Sequence, residues 1–406
     1  MSADLLHRLQ ETVRHAYANA PALRRHLDQA GLSPADIGQI ADLDRIPILS
    51  KDRVIQMQQA DPPFGGLLAV PRSEVKHIFL SPGPLYEPDG GEENTWVAVA
   101  VDSLRRCGFR PGDVVLNTLS YHLVPAGLLL DRALVAVGCT VLPGGVGNSD
   151  LQVKMMKDLG ATAYTGAPSF LLMLLQKAEE MGLDVRTDLG LRTALVTAEP
   201  LPPSLYQTLT QTYGLRVANG YATAELGLLA LSLDGGRAMQ LLPEPVIQVV
   251  DPETGKSVGP GEAGEVVVTQ FDRAYPLIRF GTGDMAILLD PRPGQSEQQE
   301  RAIILVGRSG EAVKVRGMFV HPNQLRAAVA QVLPAQAVQG MITRPDVRDH
   351  FQVRIVAAAP PADEAATVTQ IKEAVQAICR VRADEVLFVE MLPQGAAGMV
   401  DARVWE

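Results

Sequence analysis

Three short segments in the second half of this 406-residue chain carry residue types that can do chemistry. Asn219–Gly227 reads NGYATAELG, Pro276–Asp284 reads PLIRFGTGD, and Gly307–Leu325 reads GRSGEAVKVRGMFVHPNQL. Each combines glycines with a fixed acid or base. Asp284 directly follows Gly281-Thr282-Gly283, so its carboxylate sits at a turn where it can accept two hydroxyls; the plainer alternative is an Asp that only closes a polar turn. Tyr221 offers a flat face to a planar ligand, or is a buried structural tyrosine. Glu225 is an oxygen donor of the kind a hard cation takes, or a solvated acid at a helix start.

Other chemistries find no support. Cys107, Cys139 and Cys379 are isolated and odd in number, which gives neither a disulfide framework nor paired metal ligands and suits a reducing, cytoplasmic setting. The seven histidines are scattered, so zinc chemistry is not indicated. A net charge of −10 argues against nucleic acid or an anionic membrane as partner. The N-terminal stretch lacks a basic run followed by an apolar one, as a signal peptide would have. No segment holds the roughly 18 apolar residues that span a bilayer.

The elements that must position these residues can be read from periodicity. Leu5, Leu9, Val13 and Tyr17 recur at helical spacing, as on a surface helix docked by one face. From about residue 100, short β-rich runs (Val114–Leu116, Ala161–Thr165, Ala194–Thr197, Arg216–Ala218) alternate with helical ones (Leu151–Leu159, Ser169–Met181, Pro203–Tyr213). That alternation predicts a largely parallel sheet covered by helices. Turn residues at Asp251–Gly255 before a strand at Glu265–Thr269 predict antiparallel pairing, and the polar Asp290–Glu300 stretch a mobile excursion. After Gly307 the order is strand, helix, strand, strand, helix, strand, a small-domain motif. The expected fold class is therefore α/β: a large domain over residues 1–306, with α/β subdomains and a β-rich part, and a small α+β domain over residues 307–406, joined near Gly307–Glu311.

The three glycine-rich segments, in this order and spacing, resemble those of adenylate-forming enzymes. The first half resembles the phenylacetate–CoA ligase branch: YANAPALRRHLDQAGLSPADI, RIPILSKDRV, DPPFGG, CGFRPGDVVLNTLSYHLVPAG, GAPSFLL and VTAEPLP. The resemblance covers nearly the whole chain. It implies an AMP-forming acyl-CoA synthetase: a carboxylate attacks the α-phosphate of ATP, and CoA thiol then displaces AMP. By resemblance Tyr221 stacks on adenine within a surface of Asn219, Ala222 and Thr223. Ala198, Glu199 and Pro200 frame the base, and Asp284 and Arg308 hold the ribose. Glu225 is implied as the Mg2+ ligand and, with Lys314, as catalytic. Tyr121, His122, Ala167 and Pro168 are implied to line the acid pocket, core packing being the equal alternative. Gly310 is implied as the pivot of a C-terminal lid domain. ATP or AMP, magnesium and CoA are the implied ligands and a small carboxylic acid, its adenylate or its thioester the partner. A homodimer is compatible with the branch, although no residue pattern demonstrates it.

Two segments depart from the family pattern. Where relatives carry a glycine- and hydroxyl-rich phosphate loop ending in lysine, this chain reads FLSPGPLYEPDG. Ser81 and Gly83 remain, Pro84 has no N–H to give, Tyr86 resists the positive φ of a glycine, and Glu87 stands in the lysine's place. A Glu87 carboxylate about 6 Å from a phosphate charge would be repelled by roughly 3 kcal/mol at an effective dielectric of about 20. Near the C-terminus, Met399 follows Gly398 where the family carries a lysine. These departures leave three readings: a working ligase with a divergent loop, a protein that performs only acyl transfer, and a non-catalytic homologue that binds an adenylate, AMP or CoA ester.

Overall fold

The computed structural model describes residues 3–404, apart from 82, 92–95, 309–312, 317, 321, 346, 347, 380 and 394. The chain forms two compact units, Met1–Ser309 and Gly310–Glu406. The strand ending at Arg308 belongs to the first unit, so the division falls three residues after the 306/307 boundary read from the sequence and within the Gly307–Glu311 joint.

The first unit opens with helices α1 (Ala3–Asn19) and α2 (Pro21–Gln29). Leu5, Leu9, Val13 and Ala16 are buried on one face of α1, as the helical spacing predicts. A two-residue strand β1 (Leu49–Ser50) leads into α3 (Lys51–Ala60). Next comes a separate hairpin, β2 (His77–Ser81) with β3 (Leu85–Asp89). The α/β alternation then follows: α4 (Trp96–Cys107), β4 (Val114–Asn117), α5 (Ala126–Val137), β5 (Thr140–Pro143), α6 (Ser149–Asp158) and β6 (Ala163–Gly166). It continues through α7 (Pro168–Glu180), α8 (Val185–Asp188), β7 (Thr193–Val196), α9 (Pro203–Gln207) and β8 (Arg216–Thr223). The strands β5-β4-β6-β7-β8 pair in parallel in that spatial order. Their helices cover both faces, so β6 and β7 are buried at every residue.

At β8 the sheet changes character. Strands β9 (Gly227–Ser232), β10 (Met239–Leu241), β11 (Val246–Val250), β12 (Ala263–Thr269), β13 (Phe280–Leu289) and β14 (Ala302–Arg308) extend it with antiparallel pairs in the order β8-β9-β10-β14-β13-β12-β11. β1 joins β13 in parallel, with Ser50 beside Gly281. The fully buried Arg279 secures this junction: its guanidinium donates to the Leu43 and Ile46 carbonyls at 2.9 and 2.5 Å and to that of Gly255. The polar Asp290–Glu300 stretch is not the free excursion its composition suggests. Gln298 is buried, donates to the Leu242 and Pro245 carbonyls and accepts from Ile247 N–H, so its amide replaces missing backbone partners.

The second unit contains a hairpin of β15 (Val313–Val315) and β16 (Met318–Val320), then α10 (Pro322–Ala330), β17 (Ala335–Thr343), β18 (His350–Ala357), α11 (Glu364–Cys379), β19 (Glu385–Phe388) and β20 (Met399–Asp401). The strand-helix-strand-strand-helix-strand order is present, and β16 and β20 are additions the pattern did not reveal. The larger sheet runs β19-β18-β17-β20. Among the described residues no helix is long and apolar enough to cross a membrane.

Candidate active site

Within the first unit, most of the sequence-predicted residues lie at or just beyond the carboxyl ends of the parallel strands, next to β8, where parallel pairing gives way to antiparallel. That switch is where open α/β sheets leave a crevice. β6 ends in Gly166, followed by Ala167 and by Pro168, the first residue of α7. Gly166 has φ +154°, and a Cβ there would fall 1.9 Å from Thr118 Oγ1, so the chain can turn here only without a side chain. β7 is followed by Thr197, whose hydroxyl donates to the Gly220 carbonyl, and by Ala198 at φ +75°. A left-handed alanine is an uncommon conformation that turns the backbone edge of Ala198–Pro200 outward. The Glu199 carboxylate accepts the Ser169 N–H at 2.8 Å and so caps the start of α7.

β8 carries Asn219, Tyr221, Ala222 and Thr223. The Tyr221 hydroxyl donates to Asp284 Oδ2 at 2.8 Å, and Arg308 Nε donates to Asp284 Oδ1 at 2.8 Å. Asp284 and Arg308 face each other across β13 and β14, so sheet register brings them together although 24 residues separate them. Tyr221 is only 7% exposed, and burial first, then the Asp284 charge, push its phenol well above the ordinary tyrosine value. Its hydroxyl therefore stays protonated and holds Asp284 in place. Each Asp284 oxygen keeps a second lone pair for a hydroxyl ligand.

Glu225 lies in the turn between β8 and β9, with its side chain 6% exposed. Gly227 closes that turn at φ +70°; a Cβ there would collide with Trp96 Nε1 at 1.4 Å, so the indole packs directly on the turn. Glu225 Oε1 meets Lys51 Nζ at 2.6 Å in an ion pair. Burial pushes the Glu225 carboxyl up, but the Lys51 ammonium and the hydrogen bonds to the carboxylate together turn the net shift downward. Lys51 is the first residue of α3, positioned by the β1–β13 pairing and by the Ser50 N-cap.

The divergent loop is a hairpin. Ser81 pairs with Leu85 and Phe79 with Glu87, so the segment expected as an open loop is mostly strand. Period-2 alternation turns Leu85 and Glu87 inward and leaves Tyr86 exposed. Gln58 of α3 clasps it, donating to the Tyr86 carbonyl at 2.7 Å and accepting the Tyr86 N–H at 2.8 Å. Tyr86 thus needs no positive φ, and its N–H is already committed. Gly83 and an exposed Pro84, joined by a cis peptide bond, sit at the tip. Glu87 is 8% exposed, and its Oε1 is buried without a hydrogen-bond partner among the described residues. Burial, then the Glu225 charge, push its carboxyl up to about 8. At neutral pH Glu87 is therefore largely protonated, and the repulsion expected from a carboxylate at this place is correspondingly weaker.

Glu87, Asp89, Glu225 and Asp272 line a cavity of about 40 Å³ with Phe79, Trp96 and Tyr275 among its other walls, enough for a water or small ion. Asp89 is paired with Arg132 at 2.8 Å and His77 at 3.2 Å, and Asp272 accepts the Ala274 and Tyr275 N–H groups. Of the four carboxyl groups that line the cavity, that leaves Glu87 and the Lys51-paired Glu225 as candidate metal ligands. The Lys51 ammonium, 2.6 Å from Glu225 Oε1, already neutralises this carboxylate and repels a divalent cation brought to it. Among the described residues no group of three or more His, Cys, Asp or Glu side chains is arranged for a metal. The donor set at Glu225 does not fit a resident magnesium ion.

Several expected residues are not part of that cavity. The Tyr121 hydroxyl donates to Asp131 and accepts from Asn117, both at 2.8 Å, and His122 is exposed in the following turn. Neither they nor Ala167 and Pro168 line the acidic cavity. Lys314 lies on β15 opposite Phe319, its side chain outside the described residues, as is Gly310. Met399 is 4% exposed in the core of the small unit, where its sulfur fills the space beside Gly340. In this structure Met399 is a packing residue of β20.

Sequence reasoning missed Lys51 and Trp96. A signal existed for the first: a lysine at the first turn of a helix opposes the helix dipole, which points to a carboxylate elsewhere in the fold. Trp96 carried no comparable mark.

Residues 94–271 match the family description "AMP-binding enzyme". The phenylacetate–coenzyme A ligase of Pseudomonas putida is 30% identical over 343 residues, covering 80% of this chain and 75% of that protein. That of Thermus thermophilus is 28% identical over 376 residues, covering 90% and 80%. A 2-hydroxyisobutyryl-CoA ligase in complex with 2-HIB-AMP and CoA superposes with a TM-score of 0.87 at 25% identity, covering 99% of this chain and 91% of that one.

Proposed function

This chain belongs to the AMP-binding enzymes, in the family of the phenylacetate–coenzyme A ligases, and on that premise we propose that it is an AMP-forming carboxylate–CoA ligase acting on a small, aryl or acyl acid. The observation that carries the site assignment is the Tyr221–Asp284–Arg308 cluster at the switch of the sheet. Asp284 accepts the ribose hydroxyls of the nucleotide, Arg308 fixes its carboxylate, and Tyr221 holds it from beneath. The outward backbone edge at Ala198–Pro200, with Asn219, Ala222 and Thr223 on β8, frames the base. Tyr121, His122, Ala167 and Pro168 are assigned to the acid pocket and Lys314 to the small unit's catalytic contribution, on resemblance alone.

In the first half-reaction a substrate carboxylate oxygen attacks the α-phosphorus of ATP. The bond from that phosphorus to the bridging oxygen breaks, and pyrophosphate leaves. In the second, the CoA sulfur, having lost its proton, attacks the acyl carbon and AMP departs with the electron pair of the carbon–oxygen bond. Positioning by a rigid frame is the main contribution a site of this kind makes.

A second reading is favoured by the hairpin. With Tyr86 N–H committed to Gln58 and Pro84 at the tip, β2–β3 offers a triphosphate few free N–H groups. On that reading the chain accepts a preformed acyl-adenylate and performs only the thioester step. Calorimetric titration with magnesium-ATP and with a stable acyl-adenylate analogue separates the two, followed by chromatography of AMP and acyl-CoA across a panel of aromatic and short aliphatic acids. Binding of both ligands with AMP release supports the full ligase. Binding of the analogue alone supports the transfer-only reading, and binding of neither sinks both.

A further inference from the structure

Family resemblance assigns Glu225 to a divalent metal, and the residues around it disagree. Lys51 Nζ stands 2.6 Å from Glu225 Oε1, and both groups sit in a fixed frame. Ser50 caps α3 by accepting the Arg53 N–H, and β1 is paired with β13 immediately before it. Farther along the same helix, Gln58 binds the Tyr86 backbone on one side and the Tyr275 hydroxyl at 2.9 Å on the other. The helix that presents Lys51 is thereby bolted to the hairpin that presents Glu87. The remaining acids of the cavity have their own partners, Asp89 in Arg132 and His77 and Asp272 in backbone N–H groups.

We infer that Lys51 is the built-in cation of this site, and that Glu225 pairs with its ammonium instead of ligating a divalent metal. This rests on the ligase reading only for the expectation that a metal belongs at Glu225. An internal ammonium supplies a single fixed positive charge that cannot be chelated or exchanged. Magnesium that accompanies ATP then enters and leaves as part of the nucleotide complex. A lysine in this position also explains the nearby acidic Glu87: with the metal excluded, a second carboxyl can occupy the cavity without acting as a ligand.

The test uses the full-length protein, stripped with EDTA and desalted, with no substrate present, so its outcome is independent of whether the chain is a ligase. Mn2+ is titrated in and the free ion is read by electron paramagnetic resonance. The expected result is that wild type shows no saturable binding in the millimolar range beyond that of Glu225→Gln. Lys51→Gln removes a positive charge next to two carboxyls and is expected to create a site at least about tenfold tighter, lost again in the Lys51→Gln/Glu225→Gln double variant. A wild-type site that Glu225→Gln abolishes overturns the inference, as does a folded Lys51→Gln variant that gains nothing. Should Lys51→Gln fail to fold by circular dichroism, the comparison of wild type with Glu225→Gln decides alone.

Discussion

Replacing Glu87 by Gln is expected to make the large unit more stable than wild type at alkaline pH and to leave the two alike near pH 4. Burial and the Glu225 charge raise the Glu87 carboxyl from 4.5 to about 8. Folding therefore favours the protonated form, and the stability linked to it is fully present below 4.5. It is lost as pH rises from 4.5 through about 8, because the unfolded chain ionises while the folded one keeps its proton. At about 1.4 kcal/mol per pH unit the gap is on the order of 5 kcal/mol, most of it already lost at pH 7. Glutamine keeps the shape and has no proton to lose, so the difference between variant and wild type should grow over that window and flatten above it. Glu225, whose pKa is lowered, acts in the opposite sense and at lower pH: its contribution is present above its unfolded value and lost on acidification. Urea unfolding followed by tryptophan fluorescence at several pH values between about 4 and 9 reads the effect, since Trp96 lines the same cavity. Parallel stability profiles for the two proteins would refute the claim that Glu87 is held protonated in the fold.

Asp284→Asn removes the charge shared by Tyr221 and Arg308 and is expected to weaken an acyl-adenylate analogue by about 10–100-fold in calorimetry, at about 1.5–3 kcal/mol for a charged hydrogen-bond group. Gly227→Ala meets both a φ of +70° and the Trp96 indole, so the large unit should lose about 2–4 kcal/mol and its Trp96 fluorescence should change. Met399→Lys, which would restore the family's residue type, is expected to cost the small unit about 3 kcal/mol or more in thermal unfolding with no gain in AMP formation, because the position is buried core. A gain in activity there would show that β20 rearranges. Cys107, buried and pushed up to about 12, is expected to resist thiol reagents in the native protein and to react on unfolding.

The parallel half of the sheet was legible in the sequence because its strands are short apolar runs and its helices amphipathic, so each side chain's period reports its own burial. Val114, Thr193 and Arg216 begin strands within a residue or two of the places that pattern gives. The β2–β3 hairpin was not legible: Pro84, Glu87 and Pro88 are poor strand formers, and Gln58, which pins it, lies 28 residues away from Tyr86. The Asp290–Glu300 stretch misled for a similar reason, since one buried Gln298 amide orders a run whose composition is that of a loop. β16 and β20 are three residues each, too short for any period to register.

The sequence by itself determined the family resemblance and the candidacy of Tyr221, Asp284 and Arg308 through its motif segments, and the α/β class through the alternation of strand-like and helical runs, because local residue type and spacing suffice for those. What each of these side chains touches was decided by tertiary contact. Register across β13 and β14 set Arg308 against Asp284, and burial made the Tyr221 hydroxyl their anchor. Met399 reads as a missing lysine in the sequence and is a core methionine in the fold. The charge states of Glu87 and Glu225 belong to no single residue: they follow from burial and from Lys51, brought by β1 from 174 positions away, and a protonation state set by such distant neighbours cannot be read along a chain.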